Sequence, residues 1–374
     1  MKWDEKSLDQ LGCVSRGRSR HRPRDAAHLY GGPYPFIQTG DVKHANLYIT
    51  DYTQTYSEEG LAQSRMWQVG TLCITIAANI ADTAILAIDA CFPDSVIGFV
   101  PDEEKADARF IKYLFDALLQ RRYKTFTQGA AQDNLSQSKL LSLKFPVPDI
   151  TQQKCIADIL SAYDDLIENN RRRIALLENA AQLLYTEWFV HLRFPGHEHV
   201  KITDGVPEGW ERLLLGELMT LQRGFDLPNS KRKNGEVPVI ASTGLNGFHS
   251  EAKVNGPGVV TGRSGSLGTV MLVQDDFWPL NTTLWVKEFK RGTPVFAYFL
   301  LSGMKLEQFN GGAAVPTLNR NDVHRIEILC PAERLIDGFS DYVVPLLEQV
   351  EKLKRQNSIL IKARDLLLPR LMNG

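Results

Sequence analysis

Phe126-Thr-Gln-Gly-Ala-Ala-Gln-Asp-Asn-Leu135 returns as Phe309-Asn-Gly-Gly-Ala-Ala-Val-Pro-Thr-Leu318, 183 residues further on. At the same offset Pro148 answers to Pro331. Then Ile156, Leu160, Tyr163, Ile167, Ile174, Leu177 and Leu184 answer to Phe339, Val343, Leu346, Val350, Asn357, Leu360 and Leu367. A fixed offset over so long a stretch means that one supersecondary unit is used twice.

Working upstream, Trp3, Leu8, Leu11, Arg16 and Gly17 lie 207 residues before Trp210, Leu215, Leu218, Arg223 and Gly224. Pro35-Phe-Ile37 and Thr39-Gly40 answer to Pro238-Val-Ile240 and Thr243-Gly244, at an offset of about 203. A shrinking offset is the mark of a shared framework whose loops differ in length. Variable loops on a repeated scaffold point to two readers of two different things.

The chain of 374 residues has room for two domains of ordinary size, each with its own core. Apolar and charged fractions of 43% and 23% are those of a globular protein. No apolar run approaches a membrane span, and the polar start Met1-Lys-Trp-Asp-Glu-Lys6 has no signal-peptide core, so a cytoplasmic location without membrane contact is expected. Cys13, Cys73, Cys91, Cys155 and Cys330 are odd in number and widely spaced, which argues for free thiols over a disulfide framework or thiolate metal site.

A net charge of -1 hides a local excess. Arg16, Arg18, Arg20, Arg22 and Arg24, with His21, alternate through a loop after the first strand signal; Arg223, Lys231, Arg232 and Lys233 occupy the equivalent place in the second copy. One such run alone reads better as a solvated surface loop. A pair at the same address points to contact with phosphates or bases.

Between the Trp start signals and the Gly-Ala-Ala motifs the chain alternates short β-rich runs with Gly, Pro, Asn and Asp. The runs are Thr71–Ile76, Ala84–Ile88, Gly258–Thr261, Thr269–Val273 and Thr282–Val286. Amphipathic helices are expected over 108–121 and 295–305. Ser136 and Asn319 are expected to cap helical turns leading into final strands at 143–147 and 326–329.

The segments after the two prolines are of another kind. Ile156, Leu160, Tyr163, Ile167, Asn170, Ile174, Leu177, Ala181, Leu184 and Trp188 alternate spacings of four and three, as do Phe339, Val343, Leu346, Val350, Leu353, Asn357, Leu360, Arg364, Leu367 and Leu371. A seam sustained over more than four heptads predicts a coiled coil. Two separate helices, each packed on its own domain, is the alternative. If the helices pair antiparallel with Ile156 opposite Leu371 and Trp188 opposite Phe339, Asn170 falls opposite Asn357. A buried Asn pair is a device for fixing register.

The fold class expected is therefore α+β: two similar strand-rich globular domains, each followed by a long helix, the two helices forming an antiparallel coiled coil. The boundaries read from sequence are 1–150 and 193–331 for the globular domains, the second with its linker, and 151–192 and 332–374 for the helices.

Pro148-Asp-Ile-Thr-Gln-Gln-Lys-Cys-Ile-Ala-Asp-Ile-Leu160, Glu187-Trp-Phe-Val-His-Leu-Arg-Phe-Pro-Gly196, Val206-Pro-Glu-Gly-Trp210 and the ending Ala363-Arg-Asp-Leu-Leu-Leu-Pro-Arg-Leu-Met-Asn-Gly374 resemble the specificity subunit of type I restriction-modification systems. The resemblance covers the whole chain, with Gln152 standing where the family more often has Glu. It implies two target-recognition domains, each reading one half of a split double-stranded DNA site. It implies no catalysis in this chain, docking of two methyltransferase subunits, and two motor-nuclease subunits in the larger complex. S-adenosylmethionine, ATP and Mg²⁺ would belong to those partners, with no cofactor held here. Helices of about 33 residues at 1.5 Å each would span roughly 50 Å and act as a ruler between half-sites. Removing one heptad from both helices should shorten the ruler by about 10 Å.

Readings that make the chain an enzyme fare worse. Pro101-Asp-Glu-Glu-Lys105 has contiguous carboxylates in a turn, whereas metal-assisted cleavage needs them brought from separate strands. Gly262-Arg-Ser-Gly-Ser-Leu-Gly268 lacks the Gly-Lys-Ser/Thr ending of a phosphate loop and reads as a tight turn; Arg263 in it is a further candidate for DNA contact. His197-Glu-His199 has no third ligand nearby and reads as linker, and no Asn-Pro-Pro-aromatic motif of an amino-methyltransferase is present. The rival from another class is a non-catalytic coiled-coil scaffold whose globular ends bind proteins. It explains the seam but not the paired basic loops.

Overall fold

The computed structural model describes residues 3–77, 80–126, 135–309 and 316–372, and the side chains of all of these except 119–126. Most of the twin Gly-Ala-Ala motif lies outside the described residues. The chain forms two compact units, Met1–Arg172 with Leu353–Gly374, and Arg173–Lys352. This division cuts across both long helices, so each globular head is grouped with the stretches of both helices that it touches.

The two heads repeat one topology. In the first, the strand Asp4–Lys6 pairs antiparallel with Phe145–Val147, and the turn of helix Leu8–Leu11 buries both leucines. A sheet follows in the order Gly12–Arg16, Val96–Pro101, Leu72–Thr75, Thr83–Leu86, Tyr48–Ile49. In the second, Glu211–Leu214 pairs with Glu327–Cys330, Leu215–Leu218 is the helical turn, and the sheet runs Met219–Arg223, Thr283–Phe289, Gly258–Gly262, Val270–Val273. The equivalence extends to a second, smaller sheet. Tyr30–Phe36 lies between Gln54–Tyr56 and Ala90–Cys91 in one head, and Val237–Ala241 between Gly244–His249 and Trp278–Pro279 in the other. The central strands Leu72–Thr75, Thr83–Leu86 and Gly258–Gly262 are buried at every position, which is why they read as continuous apolar runs rather than alternating ones.

Helices cover these sheets where the periodicity placed them, at Ala108–Phe126 and Pro294–Gly303, the first burying Phe110, Ile111, Leu114 and Phe115. The Ser136 hydroxyl accepts the amide of Lys139, and the Asn319 side chain accepts that of Asn321, so both cap helical turns that lead into the closing strands.

The long helices run Ile150–Tyr185 and Glu333–Leu371. In the first unit their side chains meet antiparallel. The Asn170 amide donates to Asn357 Oδ1 at 2.9 Å, Asn357 donates to the Ile167 carbonyl at 3.3 Å, and Ile156 and Leu160 share a core with Leu367 and Leu371. In the second unit Trp188 and Phe339, opposite one another in the antiparallel pairing, lie 6.0 Å apart, ring to ring. One expectation needs correction: the heptad does not stay α-helical to Trp188. Residues Thr186–Val190 form a π-turn, closed by the His191 amide on the Thr186 carbonyl at 2.8 Å. Tyr185, Trp188 and Phe189 all pack on Phe339 there, at 5.9, 6.0 and 5.1 Å.

Candidate nucleic-acid interface

Each head turns its chain outward at the same place for the same reason. Gly17 donates its amide to the Val96 carbonyl at 2.9 Å, and a Cβ there would lie 2.3 Å from the Pro93 carbonyl oxygen. Gly224 donates to the Thr283 carbonyl at 3.1 Å, and its Cβ would lie 2.2 Å from the Leu280 oxygen. Only glycine fits, so the repeated Arg-Gly pairs mark a strand end pressed against backbone, from which the basic loops leave.

In the first head the alternation of residues 16–24 has a physical counterpart. Gly17 and Ser19 are buried while Arg16, Arg18, Arg20, Arg22 and Arg24 are all exposed. The loop is clamped from across the head. Ser64 donates to the Arg18 carbonyl at 2.8 Å, and the Gln63 side-chain oxygen accepts the amides of Arg20 at 2.5 Å and His21 at 3.0 Å. The five arginines then divide by role. Arg16 donates its fork to the Asp94 carbonyl at 2.6 and 2.9 Å, and Arg24 meets the Asp94 carboxylate at 2.8 Å. Arg22 closes the loop on the carbonyls of Ser19 and His21, at 2.8 and 2.7 Å. Among the described residues Arg18 and Arg20 have no side-chain partner, which leaves them the cations best placed to meet an external anion.

The second head uses its cations differently. Arg223 stands 3.9 Å from Asp226, and Lys231 is exposed in the turn Asn229–Lys231 without a side-chain partner among the described residues. Arg232 grips Asn246, donating to both its backbone and side-chain oxygens, the latter at 2.7 Å. The Lys233 amide donates to His249 Nδ1 at 3.0 Å while its ammonium faces Glu251 at 3.7 Å. Arg263 is half-buried and donates to the Asn281 carbonyl at 3.4 Å. It sits in the turn between the strands Gly258–Gly262 and Val270–Val273, closed by the Gly262 amide on the Thr269 carbonyl.

Sequence reasoning missed the residues that shape these loops. Gln63 and Ser64 were not singled out; they precede Arg65, whose guanidinium lies 4.1 Å over the Trp67 ring and adds a cation to the first head. Asp164 was missed too. It is buried beside the seam, where Tyr113 donates to it at 2.6 Å and Arg364 pairs with it. Burial and the neighbouring Asp164 carboxylate both raise the Tyr113 pKa, so its hydroxyl stays a donor. The signal was legible, since a charged Arg364 on an apolar seam requires a counter-charge near its partner position. The motifs set aside as enzyme sites behave as turns: Asp102 pairs with Lys105 at 2.5 Å, and His197 contacts the Phe194 carbonyl at 2.8 Å. Among the described residues no three His, Cys, Asp or Glu side chains gather as a metal site, and no helix is long and apolar enough to cross a membrane.

Comparison with known proteins bears on this duplicated, basic-looped architecture. The chain is 25% identical over its full length to 93% of the type I restriction enzyme MjaIX specificity subunit of Methanocaldococcus jannaschii. It is 22% identical, again over its full length, to 99% of the HindI specificity subunit of Haemophilus influenzae. The crystal structure of the type I restriction-modification S subunit from M. genitalium superposes on all of this chain and 96% of its own, with a TM-score of 0.69 at 17% identity, and so shares the fold. The profile described as "Type I restriction modification DNA specificity domain" matches residues 1–179, the first head with most of the helix that follows it, and again 207–334, the second head. By that double match the chain belongs to the type I restriction-modification DNA specificity family.

Proposed function

We propose that the chain is a non-catalytic reader of a bipartite DNA target, each head recognising one half and the paired helices fixing the spacing between halves. The observation that carries this reading is the duplicated exit of a basic loop at Gly17 and Gly224, on heads that share strand order but differ in loop length and in how their cations are held. Arg18 and Arg20 in the first head and Lys231 in the second are the proposed phosphate contacts.

The helices supply the proposed docking face for partners. Ile159, Leu176 and Leu183 are exposed on the first long helix; Tyr342, Ile359 and Leu366 are exposed at the repeat-equivalent positions of the second. A stripe that occurs twice fits two copies of one partner, here two methyltransferase subunits, and apolar groups of this size in solvent mark a surface to be covered. Two motor-nuclease subunits would complete the assembly. S-adenosylmethionine, ATP and Mg²⁺ are assigned to these partners.

Equilibrium binding of the partner-assembled chain to duplex DNA, followed from low to moderate salt, tests the reading. Affinity should fall steeply with salt, and Arg18→Ala with Arg20→Ala should flatten the slope by about one unit per lost phosphate contact. A protein-binding scaffold would show no such slope.

A further inference from the structure

The second head carries a feature that phosphate contact does not use. Gly244–His249 is the outer strand of its three-stranded sheet and pairs only with Val237–Ala241 among the described strands. Leu245 and Phe248 on it are 59% and 52% exposed, although a solvent-facing strand of this length ordinarily carries polar groups there. Leu245 stands opposite Ile240 and Phe248 opposite Pro238, so Asn246 and Gly247 together span the place of Val239. This is a bulge. Pro238 and Ile240, two apart on an alternating strand, share a face; their partners Leu245 and Phe248 therefore share it too, three residues apart. Without the extra residue one of the two would point the other way.

The bulge is fixed in place. Arg232 holds the backbone and side-chain oxygens of Asn246, and Gly247 takes a φ of +93° beside it, where a Cβ would come within 3.2 Å of Arg232 Nη1. The basic stretch 231–233 is thus laced to the apolar ribbon, again through the Lys233 amide on His249. Lys253 lies over the Trp278 ring at 4.9 Å, and its own neighbourhood holds Asp275 and Asp276 as well. The corresponding outer strand of the first head, Gln54–Tyr56, differs among the described residues: it offers Gln54, which accepts from Gln38 at 2.5 Å, and buries Tyr56.

We propose that Leu245 and Phe248 read thymine 5-methyl groups in the second half-site, the bulged outer strand Gly244–His249 facing the major groove with Lys231 and Lys233 on the flanking phosphates and Arg232 positioning the bulge. The inference rests on the DNA-reading function proposed above. The thymine methyl is the apolar group by which the major groove distinguishes base pairs, and Leu245 and Phe248 are apolar groups exposed on one face of the outer strand. The basic stretch 231–233 laced to this apolar edge, with Lys231 exposed and without a side-chain partner among the described residues, favours duplex DNA over a protein strand as its occupant.

The test uses the full-length chain assembled with its partner subunits and a duplex bearing its mapped target, compared with the same duplex carrying deoxyuridine for each thymine of the second half-site. Each contacted methyl that is lost should weaken binding about fourfold. The double variant Leu245→Ala, Phe248→Ala should bind the two duplexes equally, and Phe248→Leu should restore part of the discrimination. Arg232→Ala should reduce discrimination without abolishing binding. The proposal is overturned if the unsubstituted chain ignores the methyls, if the second half-site holds no A·T pair, or if the double variant loses partner assembly and keeps discrimination. Lys231→Ala serves as the separate control for the underlying reading. A smaller salt slope in that variant leaves DNA contact standing even where methyl reading fails, whereas an unchanged slope together with absent salt dependence removes both.

Discussion

At the scale of single residues, the two glycines at the loop exits are the most constrained positions in the heads. A methyl group at Gly17 has nowhere to go, because what it would strike is the backbone of Phe92 and Pro93 and not the end of a flexible side chain. Gly17→Ala should cost about 1–3 kcal/mol and loosen the first basic loop, with the second head unaffected; Gly224→Ala should do the reverse. Hydrogen exchange at the loop amides reads this directly, and equal protection in variant and parent would contradict it. His324 is a second such residue. Its Nε2 accepts the amide of Leu221 at 2.8 Å, two residues before Arg223. Burial, with help from the charges of Arg320 and Lys290, lowers the imidazole pKa from its ordinary value of 6.5. The unfolded chain then binds the proton more readily than the folded one, so stability is complete above about pH 6.5 and falls as the pH drops toward the lowered value. Thermal unfolding of the second unit between pH 7.5 and 5 should show this decline, and His324→Gln should flatten it. A parent profile flat over that range would be the contrary result.

At the scale of elements, the two heads join their helices by different chemistry. In the first unit Tyr113 of the helix Ala108–Phe126 reaches the buried Asp164, which Arg364 also holds. Burial works against the Arg364 charge, but Asp164 and Asp365 outweigh it and keep its pKa raised. In the second unit Phe299 stacks on Tyr185 at 5.6 Å and meets Phe339 edge-on at 5.8 Å. Arg364→Leu should therefore destabilise the first unit by about 2–4 kcal/mol, since it strands a buried carboxylate, and adding Asp164→Leu should recover much of the loss. Denaturant unfolding measures both; a double variant no better than the single one would refute the account of the joint. These elements also show what a sequence discloses. The offset of 207 residues matched Leu8, Leu11, Arg16 and Gly17 to their counterparts in the second head, and the 3.5-residue spacing located the long helices, because periodic burial writes itself into periodic composition. The π-turn at Thr186–Val190 left no such trace, because the spacing of Tyr185, Trp188 and Phe189 is that of a regular helix and no local pattern tells the two apart. The division of the arginines was hidden for the same reason, since Asp94 and Gln63 lie far from them in sequence.

At the scale of the whole molecule, the claim is that recognition is modular: two readers of one design, each bringing its own loops, deliver partner enzymes to a site defined by two short sequences and the gap between them. The outer edges of the smaller sheets, polar at Gln54 and apolar at Leu245 and Phe248, fit unlike half-sites. Both long helices keep α-geometry over Ile150–Tyr185 and Glu333–Leu371. The most direct test replaces residues 1–150 with the first head of another member of the family and maps the methylated sequence in cells carrying the assembled enzyme. The account predicts that one half of the target changes while the other half keeps its sequence. A change in both halves, or in neither, would contradict it.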